Sequence, residues 1–194
     1  MGVNHFGVYL LTRLLVPSLV QGAEHLSVQS RVVTVASNAH QFSDLFDFNN
    51  IDRKGDVKST LDVLTVYGQS KLANIFFTRE LAARFKAQNL PITANCLHPG
   101  IIRTDLAREA TGILRIGYDL MYSLLAMEPW DGAQNSIHLA SSPNVSSING
   151  AYFSNLQIVE PKLGPYHSII QKLLWKVSAK ITDISVDLKK KDES

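Results

Sequence analysis

Two short runs, SRVVTVAS at 30–37 and LPITANCL at 90–97, place apolar and β-branched residues side by side instead of alternating them with polar ones. A strand of that kind has to bury both faces, which a sheet covered by helices on each side allows. Between the runs, residues 67–88 carry a strong helical pattern. Leu72, Ile75, Phe76, Leu81 and Phe85 form a broad apolar face, with Arg79, Glu80, Arg84 and Lys86 on the other side. Residues 3–20, about 105–127 and the stretch from Pro129 also read as helices, and GAYFSN from Gly150 reads as a third strand. The polar segment 38–66, with its Asp, Asn and Gly signals, reads as a connection. Helices alternating with short apolar strands predict a parallel α/β sheet.

The 194 residues suit one domain, and a hydrophobic share of 45% is enough for a substantial core. A formal charge of +2, clustered only in the tail LKKKDES, argues against a nucleic-acid surface. Residues 186–194 are expected to be a frayed, solvated end. Cys96 is the single cysteine, which excludes an internal disulfide and fits a cytoplasmic protein or one on the cytosolic face of a membrane. Its apolar setting reads as burial, not nucleophilic chemistry. No N-terminal targeting signal is visible. His5, Arg13 and Pro17 punctuate the first apolar stretch, which reads as an ordinary buried helix. The second apolar stretch, GILRIGYDLMYSLLAM at 112–127, is too interrupted by Arg115 and Asp119 to span a bilayer. It could lie on a membrane surface or line an apolar pocket.

HExxH, CxxC, G-x-S-x-G and Walker motifs are all missing from the sequence, and no metal site is expected. What remains is Tyr67-x-x-x-Lys71. At this spacing on a helix a phenol and an ammonium reach the same small region. The pair alone is weak, because with six Tyr a shuffled chain of this composition would show it roughly a third of the time. Its chemistry is nonetheless well defined. A phenol with a reference pKa of about 10 is a poor base near neutrality and needs a nearby cation. At about 4 Å and an effective dielectric near 20, one unit charge contributes about 4 kcal/mol before desolvation offsets it. Lys71 can thereby bring Tyr67 toward a pH at which it exchanges a proton with an alcohol or carbonyl oxygen.

Four stretches stand in order along the chain: Asn4 in VNHFG, Ser37 in VASNAH, Tyr67 and Lys71 in YGQSK, and HPGIIRT from His98 to Thr104. This ordered set resembles the short-chain dehydrogenase/reductase family. The His-Pro-Gly after the strand and SKLANIFFTRELAARF along the helix resemble its retinol-dehydrogenase-like branch in particular. The likeness runs from about Val3 to Asn155. It implies a fold that is the C-terminal part of a doubly wound, Rossmann-type parallel sheet flanked by helices, incomplete without the first strands. Residues 1–194 would then be a single incomplete domain, the C-terminal half of an oxidoreductase, holding the catalytic segment and a substrate-covering region.

The resemblance also implies roles. Tyr67 is the general acid/base, and Lys71 tunes it while holding the nicotinamide ribose of NAD or NADP. Ser37 hydrogen-bonds the substrate oxygen, and Asn4 orders a water that relays protons to Lys71. Pro99 and Gly100 let backbone approach a ligand, while the backbone at Ile102 and the hydroxyl of Thr104 contact the nicotinamide carboxamide or a phosphate. His98 reads as a structural polar group, and His40 carries no assigned role. Residues 112–127 fall where the family covers its substrate, implying a small lipophilic alcohol, aldehyde or ketone, retinol- or steroid-like. Membrane association of the parent protein and a homodimer through helices 3–20 and 67–88 complete the expected partners.

A full member of the family begins with a glycine-rich cofactor turn and an Asn-Asn-Ala-Gly-like segment, neither of which is in this sequence. Two readings follow: the catalytic half of an oxidoreductase, or a short product that binds partners without catalysis. An in-frame glycine-rich strand-turn-helix encoded ahead of Met1 would favour the first.

Overall fold

The computed structural model describes residues 1–43, 46, 48–51, 59–102, 127–164 and 166–188. The chain opens with a π-helical turn, Gly2–Gly7, that runs directly into helix α1, Val8–Leu26. Strand β1 follows at Ser30–Val35, then a short 3-10 turn, Asn38–Phe42. Helix α2 covers Thr60–Ala87 and leads into β2, Ile92–His98. Helix α3, Pro129–Ser141, precedes the short strands β3, Tyr152–Ser154, and β4, Gln157–Ile158. Helix α4, His167–Ile181, comes last.

The strands lie in the order β1-β2-β3-β4, with β1–β2 and β2–β3 parallel and β3–β4 antiparallel. The three strands expected from the sequence pair in parallel, and β4, which the sequence reading did not include, adds an antiparallel edge. Residues 155 and 156, both at positive φ, make the tight turn that reverses the chain. Helix α2 begins at Thr60, well before the predicted position 67. Ser59 and Asp62 form a reciprocal capping box: Ser59 Oγ accepts the Asp62 N–H at 3.2 Å, and Asp62 Oδ2 accepts the Ser59 N–H at 2.9 Å. Tyr67 accordingly sits two turns inside the helix. The predicted helix at about 105–127 lies outside the described residues except for Met127.

Helix α4 was not anticipated, and it accounts for much of the packing. Trp175, 2% exposed, stacks on Phe77 of α2 at 6.0 Å and meets Tyr9 of α1 edge-on at 5.0 Å. The guanidinium groups of Arg13 and Arg84 lie over its ring at 5.1 and 4.5 Å. Three donors then converge on one strap of backbone. Trp175 Nε1 and Arg84 Nη1 donate to Val186 O, at 3.0 and 3.2 Å, and Arg13 Nη2 donates to Asp187 O at 2.9 Å. Leu188 joins the same core cluster. Residues 186–188 are thus held by hydrogen bonds where a frayed end was expected: buried Arg13 and Trp175, with partly exposed Arg84, bond the carbonyls of Val186 and Asp187, and Leu188 is buried.

Helix α1 is buried along one side only. Tyr9, Val16 and Ala23 enter the core, whereas Leu11, Leu14 and Leu15 are exposed. The combined helical run Gly2–Leu26 is long and apolar enough to cross a membrane by length and composition. Of the exposed leucines, Leu11 lines a groove together with residues of β1. Ser30 N–H donates to Pro91 O and Ala36 N–H to Leu97 O, so even-numbered residues bond toward β2. By the alternation of a parallel ladder, the main-chain groups of Arg31, Val33 and Val35 face the other way, where no strand lies among the described residues.

Trp175→Ala should lower the stability of the chain by about 3–5 kcal/mol, the usual cost of truncating a buried aromatic residue. Denaturant unfolding followed by circular dichroism measures it. A loss below about 1 kcal/mol would mean that α4 does not close the core as described.

Candidate active site

The carboxyl ends of β1 and β2 and the third turn of α2 meet at one place, and a glycine lets them do so. A Cβ on Gly68 would collide with Ala39 O, in the segment that leaves β1. Glycine inside a helix costs about 1 kcal/mol relative to alanine, and here it permits a close approach that no side chain would. The serine segment is thereby set directly against the helix turn bearing Tyr67.

Tyr67 and Lys71 lie one turn apart, both half-buried, with Lys71 Nζ 5.5 Å from the centre of the Tyr67 ring. Lys71 Nζ also donates to Val35 O at 3.2 Å, one of the carbonyls on the outer edge of β1. Burial pushes its pKa below the ordinary lysine value. Asn4, in the π-helical turn, donates through Nδ2 to Ser70 Oγ at 3.1 Å, and Ser70 in turn donates to Tyr67 O at 2.7 Å. Asn4 and Lys71 line one groove of about 440 Å³ together with Val3, Leu11, Val35 and Asn74. Asn4 and Lys71 thus border the same groove, whereas Tyr67 is not among its lining residues.

Ser37 has extended backbone, and its Oγ accepts the Ala39 N–H at 3.2 Å. With a lone pair engaged in that way, the hydroxyl proton is free to point elsewhere. Asn38 N–H donates to Nδ1 of His98 at 3.3 Å, tying the serine segment to the end of β2. Tyr152 of β3 donates to Asn38 Oδ1 at 2.8 Å. His98 is therefore an acceptor in this network, with its pKa lowered by burial, as suits a structural group.

The turn after β2 differs in detail from its expected use. Gly100 has φ +93°, which favours glycine, but the space left by its missing side chain is taken by Met127: a Cβ there would lie 2.9 Å from the Met127 sulfur. Ile102 bridges to Met127, and its side chain fills the space above Gly132. Pro99 lines a second cavity of about 320 Å³ with His98, Met127, Asp131 and Asn135. Of the three, Pro99 borders this cavity, and Gly100 and Ile102 lie against Met127. Thr104 lies outside the described residues, as does the segment 112–126.

Against a nicotinamide cofactor, Lys71 fits, since its ammonium borders an open groove. Gly100 offers backbone only on the side away from Met127. Cys96 is fully buried with its thiol pKa pushed up to about 12 by desolvation, which supports its reading as an inert core residue. Sequence reasoning missed Gly68, Asn38 and Tyr152. Only a glycine placed mid-helix gave a signal for the first.

No protein-family model matches the chain. Individual relatives do. Retinol dehydrogenase 14 of Homo sapiens is 37% identical over 179 residues, 91% of this chain and 50% of that protein. Retinol dehydrogenase 13 of Homo sapiens is 34% identical over 190 residues, 94% of this chain and 53% of that protein. Polyprenol dehydrogenase of Homo sapiens is 31% identical over 185 residues, covering 94% and 54%. A solved structure of an uncharacterized protein from Mycobacterium paratuberculosis aligns with a TM-score of 0.65 at 25% identity, over 95% of this chain and 59% of that one. The chain spans about half the length of the curated relatives it matches. It belongs to the short-chain dehydrogenase/reductase family, in the retinol-dehydrogenase-like branch.

Gly68→Ala should destabilise the fold by about 1–3 kcal/mol despite alanine's better helix propensity, because the methyl group collides with Ala39 O. Gly22→Ala in α1, where the nearest atom is Ser30 Oγ at 4.0 Å, should be neutral or stabilising by up to about 1 kcal/mol. Comparing their denaturation midpoints checks the contact; equal effects would refute it.

Proposed function

We propose that the natural protein containing this chain is an NAD- or NADP-dependent oxidoreductase acting on a lipophilic alcohol, aldehyde or ketone. The observation that carries the reading is the placement of Lys71 Nζ 5.5 Å from the Tyr67 ring, on a helix turn held against the Ser37 segment through Gly68. The relatives named for retinol and polyprenol support a lipophilic substrate. A bound nicotinamide would supply or accept the hydride. Lys71, with Pro99 and the backbone at Gly100 and Ile102, would hold its nicotinamide end, together with Thr104.

The chain's own residues handle the proton and the charge. The Tyr67 hydroxyl gives or takes the proton at the substrate oxygen. Its anion is favoured by the Lys71 ammonium, whose charge acts in a partly desolvated setting. The Ser37 hydroxyl donates to the same substrate oxygen and stabilises charge building there. Asn4, anchored to Ser70, holds the water that passes protons to Lys71. The protein works in the cytoplasm or on the cytosolic face of a membrane, and the exposed leucines of α1 support contact with a lipid surface.

A second reading, a chain that binds a partner without catalysis, is supported by the edge of β1 that meets no strand among the described residues, beside exposed Leu11. Steady-state assays with retinoid and steroid alcohols and both cofactors separate the two.

In the full natural protein, Tyr67→Phe should reduce turnover by about 10² to 10⁴, as loss of a general acid/base does, with cofactor affinity retained. Near-normal turnover would overturn the assignment. Lys71→Ala should weaken both turnover and cofactor binding, whereas Lys86→Ala on the outer part of the same helix should change neither appreciably. Cofactor dissociation constants for the two variants decide it, and identical values would remove Lys71 from cofactor binding.

A further inference from the structure

His40 has no part in the proposed proton chemistry, yet it is 1% exposed and lies beneath the serine segment. Its Nδ1 is 2.8 Å from Ser37 O. The same carbonyl also accepts the His40 backbone N–H at 3.1 Å. A carbonyl is a pure acceptor, so the ring nitrogen facing it has to carry the proton. The other nitrogen, Nε2, is buried with no hydrogen-bond partner among the described residues. A lone pair tolerates that position better than an N–H would, since a buried donor without an acceptor loses its full hydration. Both ends of the ring thus specify one neutral tautomer. Burial also lowers the pKa of the ring, with only a partial offset from the bond to Ser37.

The second bond to Ser37 O is not needed to satisfy that carbonyl, which the backbone N–H already does. Its effect is to fix orientation. The His40 ring stands edge-on to Tyr152 at 5.4 Å, and Tyr152 holds Asn38, so the ring cannot turn without disturbing the next residue of the segment. On the opposite side, Ala39 O abuts Gly68. Ser37 is therefore gripped at its carbonyl, at its Oγ through the Ala39 N–H, and through both of the residues that follow it.

We infer that His40 is a positioning residue that acts through Ser37, its Nδ1–H holding the Ser37 carbonyl so that the hydroxyl meets the substrate oxygen beside Tyr67. This rests on the reading of Ser37 as the group that donates to that oxygen. The groups that face the ring are Tyr152, His98 and Lys162, none of which replaces the donor.

Two variants and one spectrum test it in the full natural protein. His40→Leu keeps much of the volume and removes the donor; His40→Asn keeps a donor near the Nδ1 position. The leucine variant should lose about tenfold to a hundredfold in kcat, in line with the cost of a misplaced group near the chemistry, with the cofactor KM unchanged. The asparagine variant should recover most of that loss. Long-range proton–nitrogen spectra of the wild-type protein should show His40 protonated at Nδ1 and bare at Nε2 near neutral pH. In the leucine variant the Ser37 carbonyl carbon should shift. Equal kcat for both variants, or an Nε2–H tautomer, or an unmoved Ser37 carbonyl, would overturn the inference. If His40→Leu does not fold, the tautomer and the asparagine variant still decide. Failure of the catalytic reading is separate: it shows as unchanged turnover in Tyr67→Phe and Ser37→Ala, while the spectrum reports on His40 whether or not the protein turns over.

Discussion

The distance between helix α2 and the backbone leaving β1 governs the whole site. Where an ordinary helix would present a side chain, Gly68 presents only hydrogen, and Ala39 O occupies the place a methyl group would take. One consequence is that Tyr67 and Ser37, far apart in sequence, belong to neighbouring pieces of backbone whose separation is set by atomic contact. Rigid main chain, not a pair of long side chains, carries the geometry, and that is how a site holds a tolerance of fractions of an ångström.

The elements with a single strong period were legible in the sequence. Strands β1 and β2 announced themselves through consecutive β-branched residues, and α1 and α3 through apolar recurrence. The start of α2 was not, since the capping pair Ser59 and Asp62 is embedded in a polar stretch that reads as connection. Helix α4 had a readable pattern in Leu174, Trp175 and Ser178, but it lies beyond the span over which the family likeness runs. Its role depends on two arginines elsewhere in the chain, which composition alone presents as surface charges.

The site divides in the same way. Tyr67 and Lys71 could be singled out from the sequence because one helix carries both and they stand in an ordered set with Asn4, Ser37 and His98–Thr104. His40, Asn38 and Tyr152 acquire meaning only once the ends of three strands are brought together, and no local pattern encodes that. Gly100 shows the limit of a motif: its positive φ is real, yet the room it creates is filled by Met127.

The clamp of Arg13, Arg84 and Trp175 on the carbonyls of residues 186 and 187 also orders events during synthesis. Chains emerge from the ribosome amino end first, so α1, α2 and the sheet are exposed before the segment that covers them exists. Until His167–Ile181 and the strap after it arrive, Tyr9 and Phe77 face solvent and two guanidinium groups lack their acceptors. The strap at 186–188 therefore joins a core whose other parts precede it in the chain. A ribosome that stops short of these elements releases a chain with an open aromatic face, a natural target for chaperones and proteases.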